Sequence, residues 1–201
     1  MENQYEHEFE SFKQVVIENT DNSENFPYKQ WFINDHLMIV ERIAMELCEF
    51  HPEADRNLVQ ALVWFHDFGK PINWENEYET TKEKGVEFMR SIGFDEQFIN
   101  RVLELWQVME KQEEIDISQE AIEVQIICSA DGAAHFTGLF YSSYFRDDSD
   151  ESVESIKNRI RAKIKKDWER KIVLPELKKA FQNRYLRALE IVGEYPEKFI
   201  A

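Results

Sequence analysis

Apolar positions recur at spacings of three and four along most of the chain, the period of helices that bury one face. Phe9, Phe12 and Val16 predict an amphipathic helix over Tyr5 to Ile17, and Thr20 to Asn25 reads as a polar loop. Pro27 suits a helix first turn. Ile33, Leu37, Val40, Ala44 and Leu47 then carry a helix from about Tyr28 to Phe50, and Pro52 ends it. Asp55 is placed to cap the next helix. Its body, Leu58-Val59-Gln60-Ala61-Leu62-Val63-Trp64-Phe65, is apolar nearly all round, which predicts burial on most sides. It closes in His66-Asp67-Phe68-Gly69, with Gly69 expected in the left-handed conformation and Pro71 preventing resumption. Further helices are expected over Thr80 to Ser91 and Asp95 to Lys111, joined at Gly93. Another opens at Ser118 and runs through Asp131 toward Phe140, and Tyr141 to Ser149 reads as loop. Val153, Ile156, Ile160, Ile164 and Trp168 form a clean stripe, and a last helix spans Pro175 to Val192. The expectation is an all-α, single-domain bundle of seven to eight helices, with an N-terminal helix and loop (1–27), a core (28–140) and C-terminal helices packed on it (141–201).

Composition narrows this picture. Only six glycines and five prolines punctuate 201 residues, too few turn signals for a sandwich or barrel. The formal charge of −16 repels phosphate polymers, so a nucleic-acid partner is not expected. No apolar run reaches the length of a membrane span. The start, Met1-Glu2-Asn3-Gln4-Tyr5-Glu6, lacks the basic-then-apolar layout of a signal peptide. Cys48 and Cys128 are isolated in apolar helical stretches and read as buried thiols. A cytoplasmic setting is therefore expected.

Candidate chemistry starts at His66-Asp67, the only place where a histidine precedes an aspartate. A histidine and an acid at the end of a buried helix need a partner, because an unpaired buried charge is expensive. A divalent cation would supply it. His36 lies on the inward face of its helix, four, seven and eleven residues before Val40, Ile43 and Leu47, and is the natural third ligand. Asp131 follows the apolar run Val124 to Ala130 and is the natural fourth. Two imidazoles and two carboxylates suit borderline to hard divalent ions that keep open positions for water.

The order His36, His66-Asp67, Asp131, all on helices, resembles the HD superfamily of metal-dependent phosphohydrolases. Ala61 to Lys70 resembles its signature helix, an apolar run followed by His-Asp-x-Gly-Lys. Trp31 and His36-Leu37 with Val40 resemble its first motif, Gly85 to Met89 and Gly93-Phe94 its following helix and turn, and Ser129-Ala130-Asp131-Gly132-Ala133 its last metal motif. The likeness spans roughly Tyr28 to Phe140. It implies ligation of one divalent ion (Mn, Mg, Co, Ni, Fe or Zn) by His36, His66, Asp67 and Asp131. Many members add two histidines and a second metal; here those positions fall on Thr81 and near Trp106-Gln107, which argues for a single ion.

The resemblance implies hydrolysis of a small, anionic phosphate ester or anhydride, a nucleotide above other classes, with phosphomonoesterase, phosphodiesterase and pyrophosphohydrolase all open. Asp67 would also orient the attacking water. Lys70 either holds a substrate phosphate or balances a helix end. His135, four residues after Asp131 on the same helix face, either serves the leaving group or is a hydrogen-bonded core histidine. Lys29 and Trp31 could touch phosphate and base, the loop Asn73 to Glu77 would rim the pocket, and His7 and His51 read as surface. Lys157 to Lys171 carries eight basic residues against Asp167 and Glu169, either a capture surface for an anion or a solvated face. The competing class is a metal- or nucleotide-binding regulatory domain without turnover.

Overall fold

The computed structural model describes residues 5–147 and 150–193, among which there are nine helices and no strand. Residues 1–4 of the expected acidic start, the end of the expected loop at Asp148 and Ser149, and residues 194–201 lie outside the described residues. Helix α1 is Glu6–Asn22. Lys29–Phe32, a π turn at Ile33–Leu37 and Met38–Phe50 form one continuous helix, α2. Arg56–Phe65 is α3. Glu77–Thr80, a π turn at Thr81–Gly85 and Val86–Ile92 form α4. Glu96–Met109 is α5, Ile122–Ala134 α6 and Phe140–Asp147 α7. Val153–Lys166 with its terminal π turn Asp167–Lys171 is α8, and Pro175–Ile191 is α9.

Local chemistry explains the boundaries. The Asp55 side chain accepts from the backbone N–H groups of Asn57 and Leu58, Asp95 from Phe98 and Ser152 from Ser155, so three helix starts are capped. Gly93, at φ 110°, closes α4, and Pro175 sits in the first turn of α9. Gly69 departs from expectation: among the described residues only Gly93 and Gly138 have positive φ. Gly69 is needed for close approach instead, since a Cβ there would lie 2.3 Å from the Glu77 carbonyl oxygen and 2.7 Å from Thr81 Oγ1. Two further expectations change. Helix α6 starts at Ile122 after a separate 3-10 turn at Ile117–Gln119 and ends at Ala134, short of Phe140. The segment read as a loop from Tyr141 forms α7 instead, docked on α8.

Helix α3 is central, as its all-round apolar surface requires. Seven of its residues, Leu58, Val59 and Ala61 to Phe65, are buried, against α2, α5 and α6. Helix α6 is equally enclosed, from Glu123 to Ala134 apart from Gln125. Helix α1 lays Phe12 on Phe68 and Phe88, with ring centroids 5.5 and 5.9 Å apart. Fully buried aromatics such as Phe12 stabilise by about 1.5–3 kcal/mol each. Phe12 thereby anchors the turn that carries His66 and Asp67. No described helix is long and apolar enough to cross a membrane.

Candidate metal centre

His36, His66, Asp67, Lys70, Asp131 and His135 converge on one cavity of about 320 Å³. His36 comes from the π turn of α2. Such a turn inserts one residue and rotates the face that follows, a common device at functional sites. His66 is the C-cap of α3 and Asp67 begins the turn beyond it. Asp131 and His135 come from the last turns of α6. The four expected ligands and His135 are all buried.

The two aspartates are oriented alike. Asp67 gives Oδ1 to the Lys70 ammonium at 2.8 Å and turns Oδ2 to His36 Nε2 and His66 Nε2, each 3.5 Å away. Asp131 gives Oδ2 to Lys171 and turns Oδ1 to His36 Nε2 at 3.6 Å and His135 Nε2 at 3.5 Å. These gaps are too long for hydrogen bonds. They are close to the roughly 3.0–3.5 Å that separates neighbouring donors bound about 2.1 Å from one ion. His66 Nδ1 lies 2.8 Å from the Val63 carbonyl oxygen, which can only accept, so Nδ1 carries the proton and Nε2 a lone pair. That Nε2 is buried and has no hydrogen-bond partner among the described residues, as is true of His36 Nδ1. Two donor sets that share His36, His36-His66-Asp67 and His36-Asp131-His135, each have their own ligand atoms within 4.8 Å of one another. The orphaned His66 Nε2 lone pair beside Asp67 Oδ2, with His36 Nε2 between Asp67 Oδ2 and Asp131 Oδ1, fits a divalent cation.

Electrostatics follow from burial and these pairs. Burial alone would raise Asp67, but His66, Lys70 and His36 hold its carboxyl far below the usual range. Asp131 is likewise pulled down against its burial, by Lys171 first and then by the histidines. Burial pushes the His36 imidazole down, and His135 is pushed down to about 3 by burial and by the Lys163 charge. Lys70 is raised because Asp67 and Glu77 outweigh its burial. Both aspartates are therefore anionic and both imidazoles neutral at neutral pH, the protonation states a metal requires.

The positions of the absent auxiliary histidines have structural duties. Thr81 is buried and its hydroxyl accepts from the Gly69 N–H at 2.9 Å. The Trp106 indole donates to the His66 carbonyl oxygen at 3.3 Å. Both residues brace the signature turn. Trp31 lines the cavity, with its indole N–H unpaired among the described residues, and Trp74 and Glu77 rim it. Lys29 instead reaches back to the Ser23 carbonyl oxygen. His7 is exposed, whereas His51 is half-buried and ties α9 through Glu176 at 2.6 Å.

The basic segment divides. Lys163, Lys166 and Lys171 line the cavity, whereas Lys165 and Arg170 are exposed and Arg161 bonds the Val192 carbonyl oxygen. Sequence reasoning missed Asp167, which is fully buried behind His135, and the pairing of Lys171 with Asp131. A signal was present: Asp167 and Lys171 follow Ile164 by three and seven, on the inward face. Ser129 fixes this wall, its hydroxyl bonding the Lys171 carbonyl oxygen and the Val173 N–H.

The HD domain family model matches residues 33–134, just over half of the chain. No curated protein and no solved structure matches the chain.

Proposed function

The chain belongs to the HD domain family, and from that premise we propose that it is a metal-dependent phosphohydrolase acting on a small phosphate ester or anhydride, a nucleotide above other classes. The observation that carries this reading is the shared orientation of Asp67 and Asp131. Each spends one oxygen on a lysine and aims the other at neutral imidazoles. His36, His66, Asp67 and Asp131 would hold one divalent ion, and the nitrogen and oxygen donors suit Mn, Mg, Co, Ni, Fe or Zn. Such an ion supplies Lewis-acid activation of a water and a cation for phosphoryl oxygens.

The chain's own residues do the rest. Asp67 accepts a hydrogen bond from the attacking water and so orients it. Lys70 and Lys166, at the cavity wall, hold phosphate oxygens as point charges. Tyr28, Trp31, Trp74, Phe140 and Tyr144 offer ring faces to the organic part of the substrate. The unpaired indole N–H of Trp31 offers a donor to a ring nitrogen or carbonyl of that part. The use of Thr81 and Trp106 as braces favours a second reading, a regulatory domain that binds ion and nucleotide without turnover.

Elemental analysis of the purified chain and phosphate release from a nucleotide and phosphodiester panel under each divalent ion test the proposal. The expected result is about one ion per chain and turnover that Asp67→Asn abolishes. Binding of ion and nucleotide without phosphate release would establish the regulatory reading. A wild-type chain that binds no divalent ion would overturn both.

A further inference from the structure

Resting on the metal-site reading above, we propose that His135 is a fifth protein ligand of the ion and that Asp167 is the positioning residue that keeps its Nε2 lone pair on the site. His135 Nδ1 lies 2.9 Å from Asp167 Oδ2. Asp167 has no exposed surface, and it also accepts from the Tyr141 hydroxyl at 3.1 Å and from the Lys163 ammonium. A buried carboxylate with those two donors is ionised and can only accept. The nitrogen facing it must therefore bring the hydrogen, which leaves Nε2 with the lone pair. Lys163 Nζ is 3.3 Å from the same Nδ1, but a nitrogen that donates its hydrogen to Asp167 has no lone pair left to accept from the ammonium, which bonds Asp167 Oδ1 itself.

The direction of Nε2 completes the assignment. It points at Asp131 Oδ1 across 3.5 Å, with no hydrogen on either atom. Two lone pairs facing each other in a buried space repel unless a cation lies between them. The same Asp131 oxygen faces His36, so His135 joins the donor set rather than standing apart from it. Phe140 stacks on the His135 ring with centroids 3.8 Å apart, which fixes the imidazole plane. A carboxylate behind a ligating imidazole is the usual second layer of a metal site. This assignment displaces a leaving-group role, because a proton donor would need its hydrogen on Nε2.

Proton NMR of the Co(II)-loaded full-length chain tests the proposal, since each ligating imidazole N–H gives an exchangeable resonance shifted far outside the ordinary range. Three such resonances are expected, from His36, His66 and His135. His135→Gln should remove one and weaken Co(II) binding by about 10-fold or more. Asp167→Asn should keep all three, weaken Co(II) binding by about 10–100-fold, and speed exchange of one N–H. A His135→Gln chain with unchanged resonances and unchanged Co(II) affinity overturns the proposal while leaving the four-ligand site intact. Should that variant not fold, a wild-type spectrum with only two such resonances overturns it equally. A wild-type chain that binds no Co(II) overturns the metal site itself.

Discussion

Gly132→Ala tests whether the wall formed by Asp167–Lys171 sets the metal site. Gly132 lies in α6, one residue after Asp131. A Cβ there would lie 2.8 Å from Lys171 Cβ, 3.1 Å from Ile172 Cγ1 and 3.2 Å from the Asp167 carbonyl oxygen. In an open helix interior the change would stabilise by about 1 kcal/mol, the helix-propensity difference between glycine and alanine. Here none of the three neighbours is the free end of a flexible side chain. Overpacking of this kind costs about 1–3 kcal/mol. The net expectation is a loss of roughly 0–2 kcal/mol once the propensity gain is subtracted. The larger consequence falls on the site, because the displaced segment carries both Lys171, paired with Asp131, and Asp167, paired with His135. Urea denaturation in chelator gives the stability change, and Co(II) titration gives the affinity. An expected fall of about 10-fold or more in affinity follows from disturbing second-layer partners. A Gly132→Ala chain that gains about 1 kcal/mol and binds Co(II) as tightly as wild type would refute the reasoning.

Phe12→Ala should cost about 3–5 kcal/mol in urea denaturation, because the stack on Phe68 and Phe88 is lost from a site with no exposed surface. In chelator, the chain should lose stability as pH falls below about 6.5: His135 binds its proton near pH 3 when folded and near 6.5 when unfolded, so the unfolded state takes up more protons in that window. The slope reaches at most about 1.4 kcal/mol per pH unit for that group, and steepens below about pH 4, where Asp67 and Asp131 stay ionised only in the folded chain. Denaturation midpoints at pH 7.5 and 5.5 that coincide would contradict it. Lys166→Ala should raise KM for an anionic substrate with little change in kcat, and Lys165→Ala should change neither, since only Lys166 lines the cavity. Steady-state kinetics at low salt separates the two, and equal effects would remove Lys166 from substrate capture.

Much of this protein was legible in the order of its residues. Apolar spacing together with cap, proline and glycine signals predicts eight of the nine helices, because these are properties of the local sequence. His66-Asp67 at the end of an all-apolar helix already points to a shared positive partner, since burial makes isolated charge expensive wherever the chain leads. Helix α7 escaped although Phe140, Tyr141, Tyr144 and Phe145 recur at helical spacing, because eight residues carry too short a stripe to mark a helix and its docking on α8 is settled only by packing. The π turns escaped too. One extra residue in a turn barely alters the apolar period, yet it decides which way His36 and Asp167 point. Pairings across long separations were decided only in three dimensions: Lys171 with Asp131, Asp167 with His135, and Trp106 with the His66 carbonyl. The reason is physical. A periodic pattern records that a side chain faces inward, but which groups it meets there depends on how helices from distant parts of the chain pack. The sequence therefore named the inward-facing donors of the site, and packing chose the lysines and the aspartate that orient them.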